Sequence, residues 1–388
     1  MLYVVSLVFK HREGNSIEAS YPPFPDAQYI EDWNQGLPFI AIPDKAHDSE
    51  KTSLEFTLPD PTQPSGFIFG IATYLSIESS KLEKFKDDPN ITRNHVQKSL
   101  CVLSKVRPPT DKILPKLVES LKDNFENLSQ ILEPLYNEFT ETFSQGLSRF
   151  AGISYSALIP SLKTSLLSLI KAVMTGSRIL FFANHSEDVT KLVYAFASLL
   201  PGFLYSDDNY PFKFLDYGKS IYSFSPYVPL QFSDLLNNSE AKSLVMGTCN
   251  DLFLIQPIIK YDILVDSRTC PATITGKLPP LKEGEVKFIN SLIEGNLEDE
   301  MFRSRTRYWF DSLFGAIMRI RNIKEVPYYV WELLDLDVVN SFGKEFVSNM
   351  LRNQNVIEIV QKCDFKEFSN LEEQILKKQK KHVFNLEK

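Results

Sequence analysis

The spacing of apolar residues changes close to residue 110, and that change limits what the first part of this chain can fold into. Before it come β-type runs at 2–10, 16–23, 53–58, 66–77 and 98–106. Gly14-Asn15 offers a turn between the first two, and Pro108-Pro109 closes the last. After it, Ile113, Leu114, Leu117, Val118, Leu121 and Phe125 recur at three and four residues, and Ile131, Leu132, Leu135, Phe139 and Phe143 repeat the pattern. An extended chain turns alternate side chains to opposite faces, whereas a helix stacks positions three and four apart. Five strands, a short helix within 32–44 and two closing helices therefore predict an α+β lobe over residues 1–150.

A second region, 151–280, reads as α/β. Leu162, Leu166, Leu169, Ile170 and Val173 make an apolar helix that stops at Thr175-Gly176. The run 177–183 is apolar without alternation, as a strand covered on both faces would be. A helix follows, with Ser186 as its expected N-cap and Glu187 and Asp188 in its first turn. Segments 220–228, 243–254 and 261–275 are further strand candidates. From 281 to 388 the pattern is helical, with Phe302, Trp309, Phe310, Leu313, Phe314 and Ile317 on one face. The expected fold class is α/β of the α+β kind, in three regions.

Composition excludes several functions. With 49 acidic and 42 basic residues the net charge is −7, which offers nucleic acid no general attraction. Cys101, Cys249, Cys270 and Cys363 are far apart and lack zinc-ligand spacing, which fits reduced thiols and a cytoplasmic protein. The first residues read as a strand rather than a secretion signal, and the apolar tract 192–204 is broken by Pro201-Gly202. No glycine-rich phosphate loop and no nucleophile elbow occurs, so no cofactor is expected. Asp44, His47 and Asp48 cluster in "PDKAHD", but lack a further ligand at a defined spacing and read as a solvated turn; no metal is expected. His185 reads as a helix-start residue, and Arg303, Arg305 and Arg307 as a solvated helix face. Lys377, Lys378, Lys380 and Lys381 read as a basic helix end, with attachment to anionic lipid as the sharper alternative.

Several stretches then occur in a telling order: "VVSLVFKHREGNSIEASYPP", "DWNQGLPFIAIPDKAHDSEKTSLEFTL", "FGIATYL", "ITRNHVQKSLCVLSKV", "RILFFANHSEDVTKLVYAFASLLPGFL", "SPYVPLQFSDLL" and "SLVMGTCNDLF". Together they resemble the DENN-domain family, most closely its Avl branch of late secretory pathway proteins, from about residue 3 to 320. The resemblance implies a longin-like upstream lobe (1–150), a central α/β DENN lobe (151–280) and a helical downstream lobe (281–388). It also implies a partner, a Rab-type small GTPase docked across the groove between the first two lobes, on Golgi or secretory-vesicle membranes. Promotion of GDP release is then the leading activity, with Tyr227, Gln231, Asp234 and Asn250 as GTPase-binding candidates. Two alternatives stand beside it. Folliculin-like relatives use an arginine finger, and "TRNHVQK" places Arg93 at the corresponding position. A DENN-type scaffold could also tether an active GTPase without changing its nucleotide. Within the same stretch Cys101 reads as a small buried hydrophobe in the last strand of the sheet.

Overall fold

The computed structural model describes residues 2–10, 12–46, 49–60, 67–85, 94–144, 150–204, 223–237, 243–256 and 258–322, together with Phe342, Phe346, Val347 and Met350. The β-type runs form β1 (Leu2–Lys10), β2 (Gly14–Tyr21), β3 (Lys51–Pro59), β4 (Phe67–Glu78) and β5 (His95–Ser104). They make an antiparallel sheet in the order β2-β1-β5-β4-β3. Period two sorts neighbours onto opposite faces. Val4, Ile71, Leu100 and Val102 face one side, and Val5, Ala72, Cys101 and Leu103 the other. Gly70 on β4 lies under the Phe56 ring, where a Cβ would come within 2.2 Å of it. Only a residue without a side chain lets the ring rest on the strand.

Helices cover both faces. α1 (Ala27–Asn34) and α2 (Leu37–Ala41) place Trp33, Leu37 and Ile40 on the second face. α3 (Thr110–Asp123) and α4 (Leu132–Ser144) cover the first with Ile113, Leu117, Leu121, Leu135 and Phe139, the stripe that their spacing predicts.

The next elements are α5 (Leu158–Leu162), α6 (Ser165–Met174), β6 (Arg178–Phe182), α7 (Ser186–Ser198), α8 (Pro201–Leu204), β7 (Ser223–Ser225), α9 (Ser233–Asn237), β8 (Leu244–Thr248), α10 (Leu252–Ile255), β9 (Ile263–Asp266) and β10 (Thr273–Thr275). The expected stop at Thr175-Gly176 is a Schellman turn. Ser177 N–H donates to the Ala172 carbonyl at 2.9 Å and Gly176 N–H to that of Val173 at 3.2 Å, with Gly176 at φ +104°. The second sheet runs β10-β9-β6-β8-β7, with β6 parallel to both β8 and β9. Its central strand is buried, as an apolar run without alternation requires.

Three expectations change in detail. The run 243–254 is a strand only to Thr248 and then turns into α10, because a short apolar run has the same look in either conformation. Segment 261–275 holds two antiparallel strands, β9 and β10. His185, not Ser186, takes the N-cap of α7, with extended backbone and no capping bond from its side chain. The Ser186 hydroxyl lies instead 3.1 Å from Thr52 Oγ1 on β3.

That contact marks how the two sheets meet. α7 packs between β3 of the first sheet and β6 and β8 of the second, and one apolar core runs through all of them. Buried ion pairs pin the seams. Arg107 donates to Glu55 Oε1 at 3.0 Å and Oε2 at 2.8 Å and to the Ala151 carbonyl at 2.6 Å, with its guanidinium 5.0 Å from the Tyr194 ring centre. Two further helices, α11 (Glu283–Glu294) and α12 (Asp299–Asn322), follow the second sheet. Lys171 of α6 donates to Glu285 of α11 at 2.8 and 3.0 Å and to the Pro280 and Phe342 carbonyls at 3.1 Å. The chain is thus a mixed α/β protein with two sheets. Among the described residues no helix is long and apolar enough to cross a membrane.

Candidate functional site

The chain leaves α2 through Pro43, Asp44, Lys45 and Ala46. Ala46 N–H donates to the Pro43 carbonyl at 3.0 Å, and Lys45 takes φ +61°, a left-handed conformation uncommon for a residue with a side chain. Pro43 and Ala46 are buried and Asp44 is half-buried, so this is no solvated turn. His47 and Asp48, the other members of the cluster, lie outside the described residues.

The backbone N–H, the carbonyl and one carboxylate oxygen of Asp44 are taken by the second sheet's connections. Its N–H donates to the Tyr227 hydroxyl at 2.8 Å, and its carbonyl accepts from the Cys249 thiol at 3.4 Å. Its Oδ2 accepts from Asn250 Nδ2 at 2.9 Å and from Leu230 N–H at 3.2 Å. Beside it, Lys45 pairs with Asp251. The local sequence of a loop cannot show this, because the partners arrive from about two hundred residues downstream.

Burial pushes the Asp44 carboxyl above its ordinary value, opposed by the bonds from Asn250 and Leu230. Burial likewise raises the Tyr227 hydroxyl well above the usual range and the Cys249 thiol to about 11. At neutral pH that thiol and phenol are protonated, and the thiol donates to the Asp44 carbonyl while the phenol oxygen accepts from the Asp44 N–H. The adjoining cleft, bounded by Asp44, Ser49 and Thr52 on one side and Asn184, His185 and Cys249 on the other, holds about 210 Å³ of empty space, open solvent included. Among the described residues no three His, Cys, Asp or Glu side chains are gathered to hold a metal.

The four GTPase-binding candidates divide. Tyr227 is fully buried and Asn250 half-buried, and the structure brings both onto Asp44. Gln231 and Asp234 are exposed on the turn and helix that follow Leu230. Tyr227 can therefore shape a surface but not touch a partner. Arg93 lies outside the described residues. Cys101 is fully buried with its thiol pushed up by desolvation, as a small core hydrophobe would be. Arg303, expected on a solvated face, instead stacks its guanidinium 4.4 Å from the Phe150 ring centre.

A family model described as "Transport protein Avl9" matches residues 1–212 and 210–300. The chain belongs to the Avl9 family. It is 26% identical over 304 residues to the late secretory pathway protein avl9 of Schizosaccharomyces pombe, an alignment covering 69% of this chain and 63% of that protein. It is 25% identical over 356 residues to the late secretory pathway protein AVL9 of Saccharomyces cerevisiae, covering 75% of this chain and 46% of that one. The Avl9-type match spans β1 through the start of α12, so it includes the Asp44 turn and every residue that binds it.

Proposed function

We propose that this chain is a DENN-type module of late secretory transport that promotes GDP release from a Rab-type small GTPase, working from the cytoplasm on Golgi or secretory-vesicle membranes. The observation that carries this reading is the Asp44 clasp. It fixes two sheets against each other through hydrogen-bonded polar groups and so holds the surface above it in place. Nucleotide exchange needs only a surface, because nucleotide leaves when the nucleotide-free GTPase is bound more tightly, and each tenfold requires about 1.4 kcal/mol of coupling. Membership of a transport family and the names of the two relatives support the pathway. The antiparallel sheet with α3 and α4, then the mainly parallel second sheet, then α11 and α12 support a longin-like lobe at 1–150, a DENN lobe at 151–280 and a helical lobe at 281–388. In this reading Gln231, Asp234 and Asn250 meet the GTPase, and Tyr227 supports them from beneath.

Release of fluorescent GDP from a panel of purified Rab proteins tests it. Acceleration for one member is the expected outcome, and no acceleration with any member refutes exchange. Faster GTP hydrolysis that collapses in Arg93→Ala would identify an arginine finger instead. Preference for the GTP form with neither rate altered would identify an adaptor.

A further inference from the structure

The helices that follow the second sheet build a seat, and a later piece of the chain fills it. Phe342, Phe346, Val347 and Met350 are helical and buried, and their spacing puts them on one helix face. They rest where α6, α11 and α12 meet. The Phe342 ring stands edge-on to Trp309 of α12 with 5.9 Å between centres, and Trp309 in turn stacks on Phe288 of α11 at 6.5 Å. The Lys171 ammonium of α6 lies 4.6 Å from the Phe346 ring centre and donates to the Phe342 carbonyl at 3.1 Å.

Two features of that fit mark the segment as removable. An ammonium carries three hydrogens, and Glu285 Oε1, Glu285 Oε2 and the Pro280 carbonyl already offer three acceptors, so the Phe342 carbonyl is a fourth. Lys171 therefore keeps a full set of partners when the segment leaves. The Trp309 indole N–H is buried and meets no acceptor among the described residues, so docking leaves a donor unsatisfied that water would satisfy on release. The gain on docking is then mainly burial of four apolar side chains. It is opposed by the entropy of fixing the backbone that carries them, a cost of similar size. We propose that the junction of α6, α11 and α12 is a helix-binding seat, with residues 342–350 its displaceable internal occupant. An amphipathic helix with aromatic residues four positions apart is the kind of partner that competes for it. None of these residues belongs to the Asp44 clasp, so the seat and the exchange activity are tested separately.

The test uses the full chain. In hydrogen exchange of the wild type, the amides of 342–350 are expected to open while those of 165–174 stay protected. Phe346→Asp is expected to free the segment while the main unfolding transition persists. A synthetic peptide of residues 338–354 should then bind that variant at least about tenfold more tightly than wild type, whose own segment lowers the apparent affinity by the fraction of seats left open. Binding should also slow exchange at 283–294 in the variant. The same peptide carrying Phe346→Asp should bind neither chain. If 342–350 and 165–174 open in one step, if Phe346→Asp does not fold, or if the unaltered peptide binds both chains alike or neither, then 342–350 is a fixed part of the core and no displaceable seat exists.

Discussion

Replacing Asp44 separates the geometry of the clasp from its charge. In Asp44→Ala the backbone contacts to Tyr227 and Cys249 persist, but Asn250 Nδ2 and Leu230 N–H lose their acceptor. A hydrogen bond to a charged group is worth about 1.5–3 kcal/mol net, and two partly solvated ones sit at the lower end, so the loss is about 3 kcal/mol. In a domain of 150–250 residues each kcal/mol moves the melting temperature about 2–4 °C, which gives a drop of about 6–12 °C. Asp44→Asn keeps an acceptor oxygen of the same shape and removes a charge that burial disfavours. Its folded-state pKa is raised, so the native protein holds its proton more tightly than the unfolded chain. Asp44 therefore contributes most below the ordinary value of 3.8, and stability falls as pH rises from there through the folded pKa. Asp44→Asn removes that fall, and at neutral pH its melting temperature should match or exceed wild type. Thermal unfolding followed by circular dichroism at pH 7, with a series down to pH 4, measures both. If Asp44→Asn is as damaging as Asp44→Ala, the carboxylate charge is needed and the argument from burial is wrong.

Two other sites give sharp outcomes. Lys171 and Glu285 are 1% and 2% exposed and neutralise each other, so Lys171→Met should cost about 3–5 kcal/mol by stranding the carboxylate. Lys171→Met/Glu285→Leu should recover most of that loss in urea unfolding. Among Cys101, Cys249 and Cys270 only the last is exposed, and burial raises the other two thiols. In a Cys363→Ser background, one thiol should therefore react rapidly with a disulfide reagent and two only on denaturation, read by absorbance.

Much of the fold could be read from short-range pattern. β-rich runs bounded by turn residues marked all five strands of the first sheet, and period three to four marked α3, α4 and α6, because each signal is set by residues within a few positions of one another. The same reasoning failed at 249–255, where a short apolar run fits either conformation until Asn250 Oδ1 accepts from Leu252 N–H and starts a helical turn. It failed again at Ser186, whose hydroxyl goes to a strand 134 residues earlier instead of to its own helix.

The clasp shows where the division falls. Tyr227 and Asn250 stood out in the sequence as residues of interest, yet as surface anchors, and nothing marked Asp44 as their common partner. By itself the sequence determined the class of fold, the order of most of its elements and the family, since these depend on local pattern and on motifs in series. Only the tertiary structure decided that an apparent surface loop is the seam of the molecule. The hydrogen bonds that join Asp44 to Tyr227 and Asn250 span 183 and 206 residues, and burial of a carboxylate depends on partners that no local window contains.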